Sequence, residues 1–164
     1  MAIRTALPDD LAAIVRLRTT FVAGVRGIEV VDLAPEFVAT TETFLRDRAT
    51  AGRLHSWLAT DTDDGPAVGL VSVLVTDAPP LPEELRSTEG YIVNMFVEPG
   101  SRRRGHARAL LDTVVDAAPA LGLRRLWLHS TDDGRPLYEE TGFASDPRWM
   151  ARRLPLPGAP EIRT

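Results

Sequence analysis

Apolar and polar positions alternate along the chain in two periods, and the switches between them predict the elements. Ala2 to Thr5 reads as a short first strand, after which Asp9 or Asp10 can cap a helix carrying Leu11, Ile14, Val15 and Leu17 at helical spacing. A second helix opens at Pro35, a favoured first helical residue, and carries Phe37, Val38, Thr41, Phe44, Leu45 and Arg48 before Gly52 can end it. His55 to Thr60 predicts a strand, Asp63-Asp64-Gly65-Pro66 a turn, and Ala67 to Thr76 a central strand apolar on both faces. A long loop begins at Pro79-Pro80-Leu81-Pro82, followed by a strand over Gly90 to Val97. Ala107, Leu110, Leu111, Val114, Val115 and Ala118 then form a single apolar helical stripe. Leu123 to His129 predicts another strand and Pro136 to Thr141 a short helix stopped at Gly142. Trp149 to Leu154 predicts a last strand before a Pro-rich tail. The sum is an α/β or α+β domain of about seven strands and four helices, with no internal repeat.

Composition narrows what such a domain can do. The 164 residues, 44% hydrophobic and 26% charged, fit one globular domain. No cysteine is present, which excludes disulfides, Cys-bearing metal sites and an acyl-cysteine intermediate. All 19 basic residues are arginine, so there is no lysine for a Schiff base, a P-loop or a general base. The net charge of −4 argues against a broad nucleic-acid face. The start carries no apolar signal region, and the longest apolar stretch, Val68 to Val75, is too short to span a membrane. A cytoplasmic protein is expected, without membrane or nucleic-acid partners.

Chemistry concentrates between Tyr91 and Ala107. A strand runs into a turn at Glu98-Pro99, then into Arg102, Arg103 and Arg104, then Gly105 and the apolar-striped helix. Helix N-termini present unpaired N–H groups and a positive dipole end, and a glycine lets a phosphate approach the backbone. Three arginines at the end of a helix where positive charge is unfavourable suggest that an anion is expected there. The bland alternative is a solvated basic cap.

Arg102-x-x-Gly105-x-Ala107, preceded by Val97-x-Pro99, resembles the acetyl-CoA-binding motif of the GNAT superfamily of N-acyltransferases. Leu128 to Phe143, with its Leu-Tyr-Glu-Glu-Thr-Gly-Phe end, resembles the family's later strand, turn and helix. Ile3-Arg4-x-Ala6 followed by Asp9-Asp10-Leu11 resembles its first strand and helix. The resemblance implies a single GNAT domain over 1–154, a tail over 155–164, and a central mixed sheet of about seven strands flanked by about four helices. It implies acetyl-CoA as acyl donor. Residues Arg102, Arg103, Arg104, Gly105, His106 and Ala107 would hold the pyrophosphate, mainly through backbone N–H groups, with Asp133 also near the cofactor. Met95, Phe96 and Val97 would pair with the pantetheine arm, and a backbone N–H near Met95 or Phe96 would hold the thioester carbonyl and its oxyanion. Tyr138 would protonate the departing thiolate, or else pack beside the cofactor.

The general base stays open among Glu89, Glu98, His129 and Asp133, because Tyr91 stands where some members carry Glu or His. His129 can equally be a packing residue and Glu98 a solvated one. Asn94, the sole asparagine, would bond the substrate or the pantetheine, or satisfy a bulge. Tyr91, Asn94, His129, Arg18 and Phe21 are the candidate acceptor contacts. The Thr19–Leu33 and Pro79–Thr88 segments would supply more, and Arg26, Glu29 and Asp32 single out no ligand. The expected acceptor is a primary amine of a small molecule: an amino acid, a polyamine or an antibiotic-like compound. A CoA-binding domain without catalysis, and an acyltransferase of protein or aminoacyl-tRNA amines, are the alternatives. A homodimer is compatible with the resemblance.

Overall fold

A computed structural model of the chain describes residues 1–63, 65–80, 82 and 87–151. Its five strands are β1 (Ala2–Thr5), β2 (Leu54–Thr60), β3 (Ala67–Ala78), β4 (Ser87–Val97) and β5 (Leu123–Trp127), lying side by side in chain order. The first four pair antiparallel and β5 runs parallel to β4. The helices are α1 (Leu11–Arg26), α2 (Pro35–Thr50), α3 (His106–Ala117) and α4 (Arg135–Glu140).

Period-2 alternation in the central strands divides the core between the two faces of the sheet. Trp57, Ala59, Val71 and Val73 join Leu110, Leu111 and Val114 of α3 in one cluster, which also takes in Tyr138 of α4. Leu54, Leu58 and Leu70 join Ile14 and Leu17 of α1 and Leu45 of α2 in the other. Helices therefore cover both faces of a mixed sheet, as expected. The α3 stripe is narrower than its periodicity suggests, because Val115 lies at the edge of the helix–sheet contact and is 39% exposed.

The sheet itself differs from the sequence reading. Five strands form among the described residues, against about seven expected. The strand expected over Leu123 to His129 stops at Trp127, because its partner β4 pairs with it only as far as Tyr91. Trp149–Ala151 form no strand: the Asp146 carboxylate and carbonyl bind the N–H groups of Arg148 and Trp149 in a local turn. Trp149 stacks on Trp127 at 5.4 Å instead. The rest of that expected strand and the tail lie outside the described residues. At the other end of β4, Ser87 and Thr88 belong to the strand and not to the preceding loop.

The β4–β5 junction is pinned by Glu89, which is buried on β4. Arg124 donates two hydrogen bonds to Oε1, at 3.1 and 2.8 Å, and Arg125 donates one to Oε2 at 2.8 Å. Burial raises the carboxyl's pKa, but the hydrogen bonds from Arg125 and Arg124 more than offset this and hold it below its ordinary value. A depressed folded pKa means that the contribution to stability is complete above the ordinary glutamate pKa and is lost as pH falls through the folded value. Glu89→Gln is accordingly expected to destabilise the fold by about 2 kcal/mol at neutral pH. It should also flatten the acid side of the stability profile. Urea unfolding between pH 3 and pH 7 tests this; parallel curves for the two proteins would remove Glu89 from the acid transition.

Candidate active site

The site begins with one residue of β4. Leu70 pairs with Phe96 but Ser72 pairs with Val93, so Asn94 and Met95 stand together against Val71. Asn94 carries the bulge with φ of 59°, a left-handed conformation that asparagine tolerates better than most residues. Its Nδ2 donates to Ser72 Oγ at 3.3 Å, and Ser72 Oγ lies 2.8 Å from Ser56 Oγ. Of the roles left open for Asn94, the bulge is the one its backbone adopts. A bulge bends its strand. Past Tyr91, β4 no longer pairs with β5 and keeps β3 on its other side up to Val97. Among the described residues, one edge of the segment carrying Met95, Phe96 and Val97 is therefore open.

That edge leads into the turn before α3. Pro99–Ser101 form a short 3-10 turn, Arg103 has φ of 59°, and Gly105 caps α3 with φ of 89°. Among the described residues no acceptor meets the backbone N–H groups of residues 103–108, and no side chain caps the helix. These donors surround a position where a Cβ on Gly105 would meet nothing within 4 Å. The result is a concave set of free N–H groups at a helix N-terminus, suited to an anion.

The three arginines are not equivalent. Arg102 folds back, donating from Nε to the Val97 carbonyl at 3.0 Å, with its guanidinium 6.0 Å from the Phe96 ring centre. Arg104 lies 3.4 Å from Asp61, and Arg103 is exposed. The side chain of His106 is buried in the fold, its Nε2 2.8 Å from Asp61 Oδ1, which leaves its backbone N–H for a ligand. Ser101 Oγ donates to the other Asp61 oxygen at 2.8 Å. Hydrogen bonds from His106 and Ser101, with the nearby Arg104 charge, hold the Asp61 carboxyl below its ordinary pKa. Asp61 thus clasps both ends of the turn before α3. Sequence reasoning missed it, because an aspartate opening an Asp-Thr-Asp-Asp-Gly run carries only a turn signal.

Where β4 and β5 part, a cleft of about 600 Å³ opens between the sheet and helices α1 and α2. It brings together Arg18, Phe21, Tyr91, Asn94, Met95, His129 and Tyr138 from distant parts of the chain. Phe37, Thr40 and Phe44 of α2 also line it. Phe37, Phe44 and Leu45 share the helical spacing of α2, but Leu45 takes the core and Phe44 remains 44% exposed at the cleft. Tyr91 stacks on Trp127 at 4.1 Å, and His129 stands edge-on to both rings. Tyr138 is buried against the edge of Phe143, and burial raises its phenol pKa, which keeps it protonated at neutral pH.

The other candidates lie elsewhere. Glu29 and Asp32 are exposed between α1 and α2, outside the cleft. Glu98 is paired with Arg16, Glu89 is consumed by its two arginines, and Asp133 is exposed and does not line the cleft. Of the four groups considered as a base, His129 alone borders it. No cluster of His, Asp and Glu able to hold a metal occurs among the described residues, and no helix there is long and apolar enough to cross a membrane.

Residues 24–143 match the sequence profile described as the Acetyltransferase (GNAT) family. A mycothiol acetyltransferase of Beutenbergia cavernae is 33% identical over 90 residues, which cover 53% of this chain and 27% of that protein. The match thus spans about a quarter of the length of the curated relative. Among solved structures, a predicted acetyltransferase with acetyl-CoA from Clostridium acetobutylicum superposes with a TM-score of 0.79 at 24% identity, covering 93% of this chain and 95% of that one. A GCN5-related N-acetyltransferase from Ralstonia eutropha JMP134 gives 0.73 at 24% identity, covering 93% and 97%.

Proposed function

The chain belongs to the GNAT acetyltransferase family, and from that premise we propose that it transfers an acetyl group from acetyl-CoA to a primary amine of a small molecule, by direct attack within a ternary complex. The observation that carries this reading is the continuity of three features: free N–H groups at residues 103–108, the open edge of β4, and a cleft containing Tyr138. Acetyl-CoA, when bound, supplies an activated thioester.

Each part of the chain has a task in that reaction. The turn N–H groups bind the pyrophosphate, helped by the positive end of α3. The edge of β4 from Met95 to Val97 offers main-chain groups to the pantetheine amides, as an added strand would use them. A backbone N–H at Met95 or Phe96 donates to the thioester carbonyl oxygen and stabilises the negative charge that develops there. The amine nitrogen bonds to the carbonyl carbon as the C–S bond breaks. His129 takes the proton lost by the amine, and Tyr138 gives its phenolic proton to the departing sulfur. Proton exchange with solvent then restores both groups. With no cysteine in the chain, an acyl-cysteine relay has no nucleophile.

Calorimetric titration with acetyl-CoA and with CoA tests the first half of the reading. Saturable binding of both is expected, and no binding of either would overturn it. Thiol release across a panel of amines tests the second half. Binding without turnover on any small amine would leave a CoA-binding domain, or an enzyme acting on macromolecular amines. The absence of lysine removes side-chain self-acetylation at lysine as a source of false signal. His129→Gln is expected to lower kcat by about 100-fold while acetyl-CoA affinity holds. An unchanged kcat with chemistry rate-limiting would pass the amine proton to water. A cytoplasmic location and a homodimer complete the proposal; fractionation and the molecular mass in solution read them directly.

A further inference from the structure

The cleft has a charge that no carboxylate among the described residues balances. Arg18 on α1 lines it half-buried, with its guanidinium 5.8 Å from the Phe21 ring centre. Most other arginines of the fold meet a carboxylate: Arg4 with Asp10, Arg53 with Asp77, Arg124 and Arg125 with Glu89. Arg18 has no such partner among the described residues, and no Asp or Glu of the described residues lines the cleft. The charged and titratable groups facing this space are Arg18, His129, Tyr91 and Tyr138. Burial lowers the Arg18 pKa, opposed only by the nearby Tyr91 phenol, and even so a guanidinium remains a cation near neutral pH.

A guanidinium withdrawn from water without an anion is costly, and its planar fork suits a carboxylate held by two parallel hydrogen bonds. Phe21, Phe37, Phe44, Leu74 and Met95 give the cleft a large apolar wall, and its other polar lining, Thr40, Thr41, Asn94 and Thr131, is uncharged. A polyamine would place its positive charges beside Arg18 with no acid to receive them. We infer that the acceptor is an amine that also carries a carboxylate and a large apolar body, the chemistry of an amino acid with an aromatic or aliphatic side chain, and that Arg18 holds the carboxylate. This rests on the acyl-transfer reading for the location of the acceptor, but not for its own test.

That test uses the reaction product, so it needs no turnover. N-acetyl-L-phenylalanine and N-acetylphenethylamine share the acetamide and the ring and differ in the carboxylate. The carboxylate-bearing probe is expected to bind the wild-type chain about 10- to 100-fold more tightly, by calorimetry in the presence of CoA and in its absence. Arg18→Met should erase that preference, while its acetyl-CoA affinity reports that the variant is folded. In the thiol-release assay, L-phenylalanine should be favoured over phenethylamine, and Arg18→Met should raise KM for the former far more than it lowers kcat. Equal binding of the two probes to the wild type, weaker binding of the carboxylate, or a preference that survives Arg18→Met would each overturn the inference. Failure to bind acetyl-CoA would instead sink the acyl-transfer reading, and the two failures are told apart by which ligand is silent.

Discussion

Tyr138→Phe is expected to reduce kcat by about 10²- to 10⁴-fold, with little change in the affinity for acetyl-CoA. The substitution removes one oxygen and leaves the ring, so the packing of α4 against the α3 side of the sheet and against Phe143 should survive. What is lost is a proton donor. A phenol whose pKa is raised by burial is fully protonated at neutral pH, and it lines the same cleft as Met95 and His129. Without it the sulfur must leave as a thiolate or take its proton from water. Single-turnover measurements separate chemistry from product release, and the whole loss should appear in the chemical step. A variant with an unchanged chemical rate would make Tyr138 a packing residue.

Gly105→Val should act on the other half of the site, weakening CoA binding by on the order of 100-fold or more. Two effects combine. The backbone at 105 has φ of 89°, which a β-branched residue adopts only at a steric cost, so the N–H groups around it lose their alignment. A side chain there also enters open space, since a Cβ at 105 meets nothing within 4 Å. That space is where the pyrophosphate would have to approach. Gly105→Ala serves as the milder companion, keeping most of the backbone penalty with less obstruction, and should fall between Val and wild type. Thermal melts of both variants report the fold, while calorimetry reports the ligand. Unaltered CoA affinity in the valine variant would mean that the phosphate lies elsewhere.

The two predictions differ in how far each could be read before the fold was known. Gly105 and the helix after it follow from local rules: a periodic apolar stripe, an N-terminus, a glycine and adjoining arginines, all within one stretch of chain. The same local rules place α1, α2 and the central strands within a few residues of where they lie. Residues whose role depends on one neighbour in sequence are legible in this way.

Roles that depend on distant partners are not. Arg102 reads as a phosphate ligand, and the fold ties its Nε–H to the Val97 carbonyl, because the turn folds it back along β4. His106 sits inside the arginine–glycine turn, yet its imidazole faces Asp61, 45 residues earlier in the chain. Phe37 and Phe44 carry an ordinary amphipathic pattern and become cleft walls only because α2 packs over the splayed edge of the sheet. β5 stops at Trp127 because β4 pairs with it only as far as Tyr91, a tertiary limit no propensity encodes. Element type, the glycine turn before α3 and the absence of cysteine and lysine chemistry are therefore properties of the residues themselves, since period, backbone freedom and side-chain inventory act over a few positions. Which base candidate borders the cleft, and which arginine stands in it without an acid, only the folded chain decides. Charge balance and enclosure are set by side chains that meet from five separate elements.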